Sequence, residues 1–190
     1  DRGKRPATRN RYRSALVTLL GVAAKEGWID KLPVIPENLP EDNVRTVVWK
    51  DHWLAFFLQH LKARANEDNY CELSVDLTVF LRLHGCRADE AISLRGEQFT
   101  EEGDQIWIDF YRTKNRNPRR IRMAKPFVET YYRLRRQSPQ QIFPFTYDEM
   151  RQEFDKSRRA TTDEFGLQEK TYAQLDRHGL RHTLATELVK

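Results

Sequence analysis

Apolar positions recur along the chain with two periods, and each period marks one kind of element. Tyr12, Ala15, Leu16, Leu19, Leu20 and Ala23 fall three and four apart, predicting an amphipathic helix with Thr8 as its cap and Gly27 as its stop. Trp53, Phe56, Phe57, His60 and Leu61 predict a second helix beginning near Asp51. Tyr70, Leu73, Leu77, Phe80 and Leu81 predict a third, ending at Gly85, a residue suited to a left-handed helix terminus. A short helix is expected to resume through Ala91, Ile92 and Leu94. The period then changes to two. Ile106, Ile108 and Phe110 alternate with Gln105, Trp107, Asp109 and Tyr111, the mark of a half-buried strand. Lys114 to Pro118 reads as a turn and Arg119 to Met123 as the returning strand, giving a β-hairpin with a basic tip.

Helical spacing returns at Pro126, with Phe127, Tyr131 and Leu134 inward and Arg133, Arg135 and Arg136 near the carboxyl end, where the helix dipole favours cations. Ile142-Phe143-Pro144-Phe145 is short and apolar and should fill core. Thr146-x-x-Glu149 is a capping box ahead of a helix with Met150 and Phe154 inward. Arg158 to Lys170 carries few apolar side chains and reads as a mobile, polar excursion. Leu180, Leu184 and Leu188 predict a final helix that Asp176 can cap. Three prolines between Pro33 and Pro40 mark a linker and a domain boundary. The expected fold is mainly α with one small antiparallel β-sheet (α+β), divided into residues 1–36 and a main domain over 44–190.

Composition changes this picture only in part. Lys plus Arg number 33 against 28 acids, a net charge of +5 that does not by itself establish a nucleic-acid partner. Its distribution says more. Ten basic residues lie between Tyr111 and Arg136 against the single acid Glu129, and six precede Ser14 against Asp1 alone. Arg9 and Arg13 crowd the first turns of the first helix, where the dipole would favour acids and where phosphates would account for the sign. Arg112, Arg116, Arg119, Arg120 and Arg122 make the hairpin more basic than edge protection requires. Cys71 and Cys86 form no Cys-x-x-Cys, which argues for a reducing compartment and against structural zinc. The run Leu16 to Ala24 is too short to span a bilayer. A chain opening on Asp1, with no signal peptide, is expected to begin inside a longer protein.

The chemistry gathers in His178-Gly179-Leu180-Arg181-His182-Thr183. Three apart on a helix, the His178 imidazole and the Arg181 guanidinium share a face. A fixed charged fork beside a titratable proton carrier suits phosphoryl transfer: the fork clamps nonbridging oxygens and the imidazole moves protons. This stretch resembles the His-x-x-Arg box of the tyrosine recombinases, the phage-integrase family, including the Leu before the Arg and the His-Thr after it. Gly85-Cys86-Arg87-Ala88-Asp89-Glu90 resembles the family's first-arginine box, and Thr113-Lys114 its hairpin lysine. Ala24 to Ile29 followed by Pro33 resembles the last helix of the family's core-binding domain, so residues 1–36 would be the tail of such a domain plus linker.

The resemblance implies a DNA strand-breaking and rejoining enzyme that works through a 3′-phosphotyrosyl intermediate, without metal or other cofactor. It implies Arg87 and Arg181 as phosphate clamps and His178 as proton carrier. Lys114 would be the general acid toward the leaving 5′ oxygen; Arg116, its nearest rival, lacks a transferable proton. Double-stranded DNA is the implied partner, with a homodimer or homotetramer assembled on it, in the cytoplasm and away from membranes. The family's nucleophilic tyrosine follows the His-x-x-Arg box, whereas here no tyrosine follows Tyr172. The chain is therefore expected to be a fragment of an active enzyme, to end where order ends, or to receive its nucleophile from another protomer; alone, it should bind DNA without cleaving it. A non-catalytic DNA-binding module of the same fold is the alternative. His178 and His182 lack the glutamate and third ligand of a zinc-protease pattern.

Overall fold

Pro6, not Thr8, opens the first helix of the computed structural model, which describes residues 4–41, 46–64, 69–111 and 117–189, without the side chains of 69–71. Proline's fixed φ and missing N–H suit the first helical position, so helix α1 spans Pro6–Lys25 with Arg5 as its cap residue. Gly27 ends it at φ 71°, and the Trp28 amide donates back to the Ala23 carbonyl over 2.8 Å. Asn10 is the helix's buried residue: its Nδ2 donates to the Leu39 carbonyl and its Oδ1 accepts from the Leu39 amide, both at 2.8 Å. The proline-rich linker is thereby tied to α1. Tyr12, Leu16 and Leu19, expected to be inward, are exposed. The chain divides into two compact units, Asp1–Thr46 and Val47–Lys190.

In the second unit, α2 (Asp51–Ala63) buries Trp53, Phe57 and Leu61, and α3 (Asn69–His84) buries Leu77, Phe80 and Leu81. Both pack against α6 (Tyr147–Glu164), and α3 also packs against α8 (Arg177–Leu188). Gly85 takes φ +58° as expected, and α4 (Ala88–Ile92) follows at once.

The sheet has three strands where the alternation predicted two. β2 (Gln105–Phe110) turns Ile106, Ile108 and Phe110 inward and pairs antiparallel with β3 (Arg119–Arg122). The further strand is β1 (Phe99–Glu102), which pairs with β2's other edge through a tight turn at Gly103, φ +62°. Ile108 is central, opposite both Phe99 and Ile121.

Pro126 lies in a 3-10 turn, Lys125–Phe127, that leads into α5 (Val128–Gln137). Phe127, Tyr131 and Leu134 are buried as expected. Arg133 does more than answer the dipole: its Nη2 lies 2.6 Å from Asp76 Oδ2 and its Nη1 3.2 Å from Glu72 Oε1, both on α3. Ile142, Phe143 and Phe145 fill core, and Thr146 and Glu149 form the capping box of α6.

The stretch expected to be a mobile excursion is mostly helix. α6 continues to Glu164, and α7 covers Glu169–Gln174. Its extension has a buried face built from small polar residues. Ser157 and Thr161 are fully buried, Thr161 Oγ1 donates to the Ser157 carbonyl over 2.9 Å, and Ser157 Oγ lies 3.1 Å from His60 Nδ1. Asp176 caps α8, accepting the Gly179 amide at 2.7 Å. The apolar edge of α8 starts with buried Leu180 and ends at Leu188, 77% exposed. No helix among the described residues is long and apolar enough to cross a membrane.

Candidate active site

α3 and α8 approach closely where Gly85 sits: a Cβ there would stand 2.9 Å from Leu184 Cδ2. The leucine tip can swing aside, so it is the positive φ that favours glycine there. The turn after Gly85 makes Arg87 the cap residue of α4. From there Arg87 lines a cleft of about 390 Å³ that His178, at the start of α8, also lines. Tyr147, Arg151, Asp155 and Arg158 of α6 also line it, with Asp89 beside Arg87 and with Asp176 and Arg177 beside His178.

Arg181 is one turn further along α8. Its Nη1 is buried without a hydrogen-bond partner among the described residues. A buried donor left in that state is costly, and an anionic oxygen would satisfy it. Its charge is felt at Cys86, the residue before Arg87. Burial pushes that thiol up to about 12; Glu90 adds to the rise, while Arg119 and Arg181 oppose it. The thiol of the first-arginine junction is thus buried and held protonated.

Glu90 organises the Arg87 side. Its Oε2 accepts the Arg87 amide at 2.9 Å and its Oε1 accepts Arg87 Nη1 at 3.0 Å. Arg119 closes on the same carboxylate, with Nη2 2.6 Å from Oε2 and Nη1 3.3 Å from Oε1. Burial would raise the Glu90 pKa, but the hydrogen bonds from Arg119 and Arg87 outweigh it and hold the group down at about 2.

Arg177 is held differently. Its guanidinium lies over the rings of Tyr147 and Phe154, at 4.9 and 5.0 Å, and Nη1 contacts Met150 Sδ at 3.7 Å. Burial lowers its pKa. Tyr172, the last tyrosine, is outside the cleft lining, with its hydroxyl accepting from Arg158 Nη2 at 3.0 Å.

Residues 58–190 match the Phage integrase family. The chain belongs to that family. None of the curated proteins matches it. Among solved structures it is similar to the XerH site-specific recombinase bound to a palindromic difH substrate in a post-cleavage complex, with a TM-score of 0.68 and 21% identity. It is also similar to XerH bound to difH in a pre-cleavage complex, with a TM-score of 0.64 and 21% identity. Each likeness covers 98% of this chain and 55% of the XerH chain, so this chain spans about half the length of those recombinases. The mainly helical fold with a small antiparallel sheet is the fold this chain shares with these recombinase structures.

The structure thus brings Arg87 and His178 to one cleft, whose lining does not include Arg181. Lys114, Arg112 and Arg116 lie outside the described residues. Of the remaining basic residues expected to meet DNA, Arg119 is engaged by Glu90, and Arg120 lies over Trp107 and pairs with Glu102 at 2.8 Å. Arg13 is bonded to the Pro36 carbonyl and to Asn38. Arg9 and Arg122 are exposed. His178 and His182 stack edge to face at 4.8 Å, and no group of three or more potential metal ligands forms among the described residues. The cleft wall formed by Tyr147, Arg151 and Arg158 escaped the sequence reading, although these positions recur on one face of α6 at helical spacing.

Proposed function

We propose that this chain is the catalytic part of a site-specific DNA recombinase or integrase, with Arg87 and Arg181 as phosphate clamps, His178 as proton carrier and Lys114 as general acid. The observation that carries the reading is the shared cleft of Arg87 and His178, which come from two helix starts far apart in sequence. Guanidiniums from separate elements can hold a phosphate's oxygens from more than one side, and their charge answers the extra negative charge of a pentacoordinate transition state. An imidazole in the same cleft can take the proton of an attacking hydroxyl, and a lysine can return one to the leaving 5′ oxygen. The buried, unpartnered Nη1 of Arg181 supports an oxygen ligand nearby.

The 190 residues contain no tyrosine after the His-x-x-Arg box. In this reading the nucleophile is supplied from outside them, the 190-residue chain alone binds duplex DNA without cleaving it, and the working enzyme assembles as a homo-oligomer on DNA in the cytoplasm. Residues 1–36 would be the end of a core-binding domain plus linker.

The test is covalent trapping. Full-length protein incubated in EDTA with target duplex should leave protein on the 3′ phosphate, resistant to detergent and removed by protease. Arg181→Ala should abolish the adduct. Salt-dependent binding with no adduct from the wild-type protein would point instead to a non-catalytic DNA-binding module.

A further inference from the structure

We propose that Arg119 is a positioning residue for Arg87: as counter-ion to Glu90, it leaves the Arg87 charge free to act in the cleft. The inference rests on the reading that this cleft receives the scissile phosphate.

The geometry is a carboxylate shared between two guanidiniums. Glu90 is 5% exposed, and each of its oxygens accepts from both arginines. One negative charge against two positive ones leaves a surplus of one. Arg87 lines the cleft, whereas neither Glu90 nor Arg119 does, so the surplus is available where Arg87 stands. Without Arg119, the buried carboxylate would be balanced by Arg87 alone. The cleft would then face a neutral ion pair, and Arg87 would be drawn toward Glu90 with less charge to offer a phosphate.

Arg119 is also held for this task. Its Cζ lies 4.5 Å from the centre of the Phe110 ring, and Phe110 is its partner across the β2–β3 ladder. The ring fixes the plane of the guanidinium, so both terminal nitrogens meet the carboxylate. This arrangement commits the guanidinium to a carboxylate, unlike a hairpin arginine spread along a DNA phosphate.

The experiment uses full-length protein and a duplex selected on it from a random pool. The duplex is then synthesised with either a natural scissile phosphate or a methylphosphonate, in which a neutral methyl replaces one charged nonbridging oxygen. On natural phosphate, Arg119→Ala should cleave about tenfold to a hundredfold more slowly, less than the roughly 10²–10³-fold of losing a direct transition-state donor. On the methylphosphonate, which needs less positive charge, Arg119→Ala and wild type should cleave at similar rates. Arg119→Lys keeps the charge without the fork and should fall between the two on natural phosphate. In a Glu90→Gln background there is no carboxylate charge left to balance, so adding Arg119→Ala should cost little more.

Equal slowing on both substrates would overturn the proposal, because a merely structural defect does not distinguish them. So would additive losses with Glu90→Gln, or Arg119→Lys as slow as Arg119→Ala. A salt dependence of binding flattened by about one unit in Arg119→Ala would identify a phosphate contact instead. A wild-type protein that forms no adduct on the natural phosphate would remove the recombinase reading itself, and this inference with it.

Discussion

The backbone amide of Trp49 donates to Thr183 Oγ1 over 2.8 Å, joining residues 134 positions apart. Thr183 is the last residue of the His178–Thr183 motif, and its hydroxyl in turn donates to the Gly179 carbonyl at 2.8 Å. The Trp49 indole donates to the Asp176 carbonyl at 3.3 Å and packs edge-on against Phe57 and Phe154. The segment entering α2 therefore sets where the first turn of α8 stands. Thr183→Val keeps the shape but leaves a buried amide unsatisfied, and should destabilise the protein by about 1–3 kcal/mol. Thr183→Ser should recover most of that loss. Urea denaturation measures both, and a Val variant as stable as wild type would show that the amide finds another partner.

Gly179 gives a second reading of the same turn. A Cβ there would lie 2.6 Å from the Gln174 carbonyl and 3.3 Å from Trp49 Nε1. The first atom is backbone and cannot swing away, so Gly179→Ala must shift the start of α8 against the end of α7. The expected cost is about 1–3 kcal/mol, as for other overpacked sites. Because His178 and Arg181 flank the glycine, DNA cleavage should also slow in the full-length variant. An Ala variant with unchanged melting temperature and unchanged cleavage would mean that the turn accommodates the methyl freely.

His84 links the end of α3 to the segment after β3. Its Nδ1 lies 2.9 Å from the Phe80 carbonyl, and its Nε2 accepts the Ala124 amide at 3.0 Å. That second bond requires an unprotonated Nε2, so the folded form holds the neutral ring. Burial lowers the pKa below the ordinary 6.5, partly opposed by the hydrogen bond to Phe80. The unfolded chain takes up a proton as pH falls below about 6.5 while the native ring resists it. The stabilisation is therefore complete above that pH and is lost as pH falls. Wild type should lose stability between pH 7.5 and 5.5, and His84→Gln should lose less over the same interval. Urea midpoints at the two pH values decide it; equal losses would assign the pH dependence to other groups.

Much of the helical fold was legible because its inward faces are apolar at helical spacing, as in Trp53, Phe57 and Leu61. β1 was not. Only Phe99 of its four residues is even half-buried, and an edge strand held by main-chain pairing leaves no alternation to read. The second half of α6 was missed for a related reason: its packed positions are Ser157 and Thr161, polar by composition yet small enough to fit. Around the site, the motif residues could be named because each lies in a short local pattern. Their neighbours could not. Arg158 and Arg177 share a cleft only because α6 lies beside α8, and Arg119 meets Glu90 across 29 residues through the register of a hairpin. Charge counting gave every hairpin arginine the same role, whereas the sheet gives Arg119 a carboxylate and leaves Arg122 exposed.

The difference between those arginines yields the last prediction, for binding without chemistry. The 190-residue chain should bind duplex DNA noncovalently, with a log–log salt slope of roughly −0.9 for each phosphate it contacts. Arg122→Ala should weaken binding to all sequences alike and flatten the slope by about one unit, since an exposed cation on β3 is free to meet a phosphate. Arg120→Ala should do less, because Arg120 is already paired with Glu102 and stacked on Trp107. Lys114→Ala should leave affinity nearly unchanged but slow strand cleavage in the full-length protein, since a general acid acts in the transition state and not in the bound complex. Replacing the leaving 5′ oxygen with sulfur, which departs without protonation, should restore cleavage to Lys114→Ala and leave Arg181→Ala slow. Fluorescence anisotropy across a salt series and cleavage of the two duplexes separate these outcomes. Binding that is independent of salt would deny the phosphate contacts, and a Lys114→Ala enzyme cutting the natural phosphate at the wild-type rate would move the general acid to another residue.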